Sequence, residues 1–301
     1  MISRASRIIP VSFVVLVLAL AAVPLQAQSP EPAWLVIERA DRLAHLGEFG
    51  QAIQLYRRAL TLDPGSPEAE YGLARVFASV NDYAVARVHY ENAVSVQERL
   101  RVPAMAFEIH YGLAELFRVQ RQFAEYEAEL GEILALAPEP EVDADALLRA
   151  FEQQGIDRTL VLYRVPEDGA TQARGQLAEL LVGLGRYESA ALQALMAVVQ
   201  QLTTVIEALL ERDPLFAYET VRDAVTAGLV YGEIERYLAR TELHKNLYYL
   251  AAALLGEGNR TMALETWRLA VDLPHGGVWT RRASIQLADP QPEPLIVDTL
   301  P

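Results

Sequence analysis

Residues 40–64 read ADRLAHLGEFGQAIQLYRRALTLDP, and residues 74–96 read ARVFASVNDYAVARVHYENAVSV. Laid together, they repeat. Ala40, Leu43, Phe49, Ala52, Tyr56 and Ala59 return 34 residues later as Ala74, Phe77, Tyr83, Ala86, Tyr90 and Ala93. Gly47 and Asn81 stand at the same place between the two halves of each copy, and both tolerate left-handed backbone. Small side chains let two helix axes approach closely, and large ones interlock beside them. A lone helical hairpin cannot bury its apolar face, whereas stacked hairpins bury each other's. A plain helical bundle also uses Ala and Leu, but it does not account for six positions returning at one offset.

The pattern resembles the tetratricopeptide repeat (TPR), a pair of antiparallel helices about 34 residues long. Ala40, Ala52 and Ala59 match the small positions of that family, Leu43, Phe49 and Tyr56 the bulky ones, and Leu62-Asp63-Pro64 the end of a unit. The resemblance implies an all-α fold of antiparallel helix hairpins stacked as an α-solenoid, or superhelix. A third unit drifts: Tyr111-Gly112-Leu113-Ala114 repeats Tyr71-Gly72-Leu73-Ala74 after 40 residues. The six extra residues are expected to lengthen the second helix of unit two and its loop, around 97–103. In this unit Arg121, Tyr126 and Ile133 replace the turn residue and two alanines.

Residues 33–140 therefore form an N-terminal module of about three repeats. A polar, Pro-rich break follows at 138–143. The linker 141–169 holds one helix, capped by Asp143 or Asp145 and stopping at Gly155, and 159–165 reads as extended. The pattern resumes over 170–288, with Ala178, Leu181, Gly185, Tyr187, Ala190 and Ala194 in one unit. A long helix runs there from Tyr187 to about Arg212. Asp213-Pro214 is expected to cap another helix ending near Gly228, and 233–240 is a further short one. A last unit holds Leu250, Ala251, Gly258, Ala263, Trp267 and Ala270, with a closing helix over 279–287. A Pro-rich tail, 289–301, is expected to be disordered.

The first 27 residues have the three-part layout of a secretory signal peptide: Arg4 and Arg7, an apolar stretch at 11–23, and Leu25-Gln26-Ala27. The apolar run is shorter than the roughly 20 residues a spanning helix needs. Cleavage near Ala27 is expected, leaving the short linker 28–32 before the array. An uncleaved anchor is the alternative. No second segment is read as crossing a bilayer, so the mature chain is expected to be exported, periplasmic or secreted, with no membrane insertion. Without this segment the chain carries 24 basic against 40 acidic residues. Such a surface repels phosphate backbones, so nucleic acid is not an expected partner. There is no cysteine, which excludes disulfides and zinc–thiolate sites.

No constellation of catalytic residues is visible. His45, His89, His110, His244 and His275 share no metal-ligand spacing, so neither metal nor cofactor is expected. Gly256-Glu257-Gly258 and Gly183-Leu184-Gly185 look like phosphate-loop fragments, but both fall at hairpin turns. What remains is geometric. In TPR arrays the first helices line a concave groove, and the resemblance places Ile37, Asp41, His45, Tyr71, Arg75, Ser79, Tyr111, Glu115 and Arg118 there. Tyrosine in two equivalent places beside arginine suits a protein partner, since aromatic and Arg anchors dominate interface energies. The same tyrosines could instead pack between hairpins. The TPR subgroup that grips C-terminal carboxylates uses Lys and Asn in this groove. This chain has Ile37, Asp41, Tyr71 and Arg75, so that activity is not implied. The expected function is a non-enzymatic, bacterial-type envelope scaffold for protein–protein interaction. The alternative is a periplasmic accessory of small-molecule uptake that binds a transporter component or an apolar ligand, with an apolar pocket or pore lined by residues 198–210 and 247–255. Self-association is left open.

Overall fold

Each half of the repeat is a helix in the computed structural model, which describes residues 31–139 and 142–291. The expected signal segment and residues 292–301 of the tail lie outside the described residues. In chain order the α-helices are α1 (Ala33–His45), α2 (Phe49–Leu62), α3 (Pro67–Ser79), α4 (Tyr83–Ser95), α5 (Met105–Val119), α6 (Phe123–Leu136) and α7 (Ala144–Leu162). After these come α8 (Thr171–Gly183), α9 (Tyr187–Arg212), α10 (Val221–Gly228), α11 (Gly232–Arg240), α12 (Leu243–Gly256), α13 (Arg260–Asp272) and α14 (Gly277–Ala288). No strand occurs among the described residues.

One backbone device closes five hairpins: α1–α2, α3–α4, α5–α6, α8–α9 and α12–α13. Gly47, Asn81, Arg121, Gly185 and Gly258 all have positive φ, between 58° and 88°. Each is followed by an amide that reaches back five residues, as in Glu48 N–H to Leu43 O (2.9 Å), Asp82 N–H to Phe77 O (2.9 Å) and Gln122 N–H to Phe117 O (2.9 Å). This is the Schellman termination, which supplies partners for the last carbonyls of a helix. Arg121 adopts it without glycine's freedom, at a cost of about 1–2 kcal/mol.

The alanines of the repeat sit where helices cross: Ala40, Ala52, Ala59, Ala74, Ala86 and Ala93 are fully buried. Tyr56 and Tyr90, also buried, project onto the next hairpin at Gly72 and Gly112, where a β-carbon would lie 2.2 and 2.4 Å from the ring. The third unit exchanges large for small. Tyr126 stands where the second unit has Ala86, and Leu130 where it has Tyr90, and both are buried.

Several expectations are corrected. The extra residues of unit two do not extend α4, which stops at Ser95. They form a 3-10 turn, Gln97–Arg99, and a loop. Of the two expected caps of α7 it is Asp143 that serves, accepting the Ala146 amide (3.0 Å). Gly155 (φ 74°) kinks that helix instead of ending it. Residues 159–162 are therefore helical, because Thr159 and Leu160 are fully buried and Thr159 Oγ1 donates to Gly155 O (2.8 Å). Asp213-Pro214 does not start α10. Thr220 does, through a capping box with Asp223.

The chain leaves the array at the Pro-rich break to make α7 and re-enters it at α8. There α8 packs on α6, and one apolar core runs from α3 to α14, so the two modules are continuous. Helix α9 is long and apolar enough to cross a membrane by composition. However, 78% of its most apolar window is buried inside the fold, and it is the core helix. The apolar residues of 198–210 and 247–255 pack into this core: Val198, Val199, Leu202, Leu247, Leu250 and Leu254 are all buried.

Candidate partner-binding groove

Stacking sets α1 beside α3 and α3 beside α5, so the nine sequence-selected residues share one succession of first helices. Their environments differ. Ile37 is buried in the first hairpin's core. Asp41 is half-buried and accepts the Tyr56 hydroxyl at 2.6 Å. His45 is exposed at the end of α1, and Ser79 is exposed and donates to Val76 O at 2.7 Å. Arg75 is exposed, its guanidinium 5.4 Å from the Tyr71 ring centre, within cation–π range. Glu115 and Arg118 pair with each other through two contacts of 2.6 and 2.7 Å.

The two tyrosines are not equivalent. The Tyr71 hydroxyl donates to a side chain, Glu108 Oε2 (3.1 Å), and its ring lies 6.1 Å from that of Tyr90. The Tyr111 hydroxyl donates to Gly169 O and accepts the Ala173 amide, both at 2.9 Å, tying α5 to the start of α8. Burial raises the pKa of both phenols, that of Tyr111 to about 12, so both remain neutral donors at physiological pH. Tyr71 with Arg75 is thus an aromatic–cation pair on the open side of the array. Tyr111 is a structural tie.

Beyond Tyr111 lies a cleft of about 810 Å³ that sequence reading missed. One wall is the 167–172 segment and the other is α11, with Gln201 of α9 between them. The approach is held by a polar network. Asp168 accepts from the Ala170 amide (2.8 Å) and Gln200 Nε2 (2.9 Å), and faces the Arg174 guanidinium at 3.6 Å. Only the Asp168-Gly169 pair marked this place in the sequence, and it reads as an ordinary turn. No group of three or more His, Asp or Glu side chains among the described residues is placed to hold a metal ion.

A tetratricopeptide repeat model matches residues 33–76, the α1–α2 hairpin and most of α3. Residues 33–76 are a tetratricopeptide repeat. An uncharacterized protein of Treponema pallidum is 25% identical over 231 residues, 74% of this chain, and the match spans 61% of that relative's length. Another, from Borreliella burgdorferi, is 22% identical over 275 residues, 80% of this chain and 85% of the relative. Among solved structures, YrrB, described as a TPR protein with an unusual peptide-binding site, is 18% identical with a TM-score of 0.45, covering 83% of this chain and 90% of YrrB. MamA is 14% identical with a TM-score of 0.39, covering 85% of this chain and 93% of MamA.

Proposed function

We propose that this TPR array is a non-catalytic scaffold of the bacterial cell envelope, and that it holds a protein partner against the α3–α5 part of its groove. The observation that carries the reading is the exposed Arg75 set against Tyr71, with the Tyr71 hydroxyl on a displaceable carboxylate. A partner that supplies its own acceptor can take over that hydroxyl without exposing a backbone group. With Tyr111 tied to two backbone groups and Ile37 buried, the energetic centre narrows to Tyr71, Arg75 and Glu108.

The test is co-purification of the tagged protein from its native envelope, followed by affinity measurement with the recovered partner. Tyr71→Ala is expected to weaken capture roughly thirtyfold, the cost of truncating an interface aromatic worth about 2 kcal/mol. Thermal stability should change much less than it does for Tyr111→Ala. Unchanged affinity for Tyr71→Ala combined with Arg75→Glu would remove this groove as the site. The envelope assignment rests on the basic, apolar and small-residue succession of residues 1–27. Fractionation is expected to place a mature chain beginning near Gln28 in the periplasmic or secreted fraction. An intact N-terminus in the cytosol would contradict it.

A further inference from the structure

The 213–241 insertion is not needed to continue the solenoid. Helix α9 packs directly on α12, and α12 packs on α8, as successive hairpins of an array do. The insertion adds α10 and α11 to that array, and in repeat proteins insertions commonly map to a binding face. Helix α11 is anchored by Ile234 and Leu238, both buried, and presents Arg236 and Arg240, both exposed, to the 810 Å³ cleft.

The charges in this cleft divide into used and unused. Each carboxylate in its walls has a donor already. Glu167 accepts the Thr204 hydroxyl (3.1 Å), and Asp168 accepts Gln200 and Ala170 and faces Arg174. Glu233 pairs with Arg212, and Glu242 pairs through Oε1 with Lys245 (3.4 Å), its Oε2 being buried without a partner. Among the described residues neither Arg236 nor Arg240 has a hydrogen-bonding or ion-pair partner. In a chain of net charge -14, two guanidiniums left unpaired on one helix face beside a large cleft are the local exception.

We propose that this cleft is a second binding site, which takes an extended acidic segment of a partner protein, with two carboxylates two residues apart bound by Arg236 and Arg240. The spacing supports this pattern. Side chains at i and i+4 on a helix stand about 5–6 Å apart. Alternate residues of an extended chain lie about 6.6 Å apart on one side. Guanidinium groups bind carboxylates through paired, charge-assisted hydrogen bonds. The site lies between α11 and the end of the first-helix groove at Tyr111, and includes neither Tyr71 nor Arg75, which carry the proposed function, so the two readings stand or fall separately.

The experiment uses the mature protein and a fluorescein-labelled peptide of Gly and Ser bearing one Asp-Ser-Asp, read by anisotropy at low salt. The same peptide with Asn-Ser-Asn is the control. The acidic peptide is expected to bind saturably and the amide peptide at least tenfold more weakly. Arg236→Glu and Arg240→Glu should each lower affinity tenfold or more while leaving the melting curve in place, because neither side chain has a partner to lose. Arg281→Gln, on α14, should leave binding unchanged, as should Tyr71→Ala. Three results would overturn the proposal: no saturable binding, binding indifferent to both α11 charge reversals, or free glutarate competing as well as the unlabelled peptide. The last would make the site one for a small dicarboxylate.

Discussion

Replacing Asp168 with alanine is expected to destabilise the protein by about 3–5 kcal/mol, the largest single effect we anticipate outside the apolar core. Arg174 is 7% exposed, and its Nε has no hydrogen-bond partner. Asp168 is its ionic partner at 3.6 Å. Deleting the carboxylate leaves a guanidinium buried without a counter-charge, and a buried unpaired charge costs far more than the pair contributes. The same deletion frees the Ala170 amide and Gln200 Nε2, and so loosens the segment that delivers α8 to the array. For a chain of this size the thermal midpoint should fall by roughly 2–4 °C for each kcal/mol. Adding Arg174→Met should restore much of the loss, because it removes the stranded charge and keeps an apolar stem of similar length. A loss below about 1 kcal/mol in Asp168→Ala, or no recovery in the double variant, would mean that the pair is solvated in solution.

That site marks the limit of what the sequence discloses. The hairpins are legible because they are local: each turn residue, each alanine at a crossing and each bulky filler lies within one 34-residue window. Asp168 and Arg174 acquire their meaning from Gln200, 32 residues from Asp168, and from Tyr111, 58 residues before Gly169. No periodicity records such distances. The equivalent tyrosines make the same point. Tyr71 and Tyr111 occupy one repeat position, yet the element that follows differs. Unit two is followed by α5, which offers Glu108. Unit three is followed, after the excursion of α7, by the backbone at Gly169 and Ala173. The resemblance fixes the position but not the environment. The cleft was illegible for a related reason: its α11 wall lies in an insertion with no repeat register.

Local signals also competed. The strand-like composition of 159–165 yielded to burial, which holds Thr159 and Leu160 inside a helix. At α10 two start signals compete, Asp213-Pro214 and Thr220 with Asp223 three residues later. The second is a capping box and sits directly before the apolar Val221, and the helix begins there.

Gly72→Ala and Gly131→Ala are the same chemical change in two helices of this array, and they are expected to move stability in opposite directions. In an unobstructed helix interior, alanine gains about 0.5–1 kcal/mol over glycine by restricting the unfolded chain. Gly131 in α6 has nothing within 4 Å of an added β-carbon, so Gly131→Ala should realise that gain. At Gly72 the β-carbon would meet Tyr56 Cε1 at 2.2 Å. The ring cannot retreat easily, since Tyr56 is 1% exposed and its hydroxyl is held by Asp41 at 2.6 Å. Overpacking of this kind costs about 1–3 kcal/mol, more than the helical gain. Gly112→Ala, against Tyr90 at 2.4 Å, should behave alike. The third unit carries a natural form of the remedy. Leu130 replaces the tyrosine there, and Gln176 stands where α3 and α5 have Gly72 and Gly112, so a side chain is accommodated once the ring is gone. Tyr56→Leu should accordingly be less damaging in the Gly72→Ala background than in the native one, a coupling measurable by a double-mutant cycle in urea. Additive effects, or a stabilising Gly72→Ala, would mean that the Tyr56 ring does not rest on the α3 backbone, and the stacking of the first two hairpins would have to be redrawn.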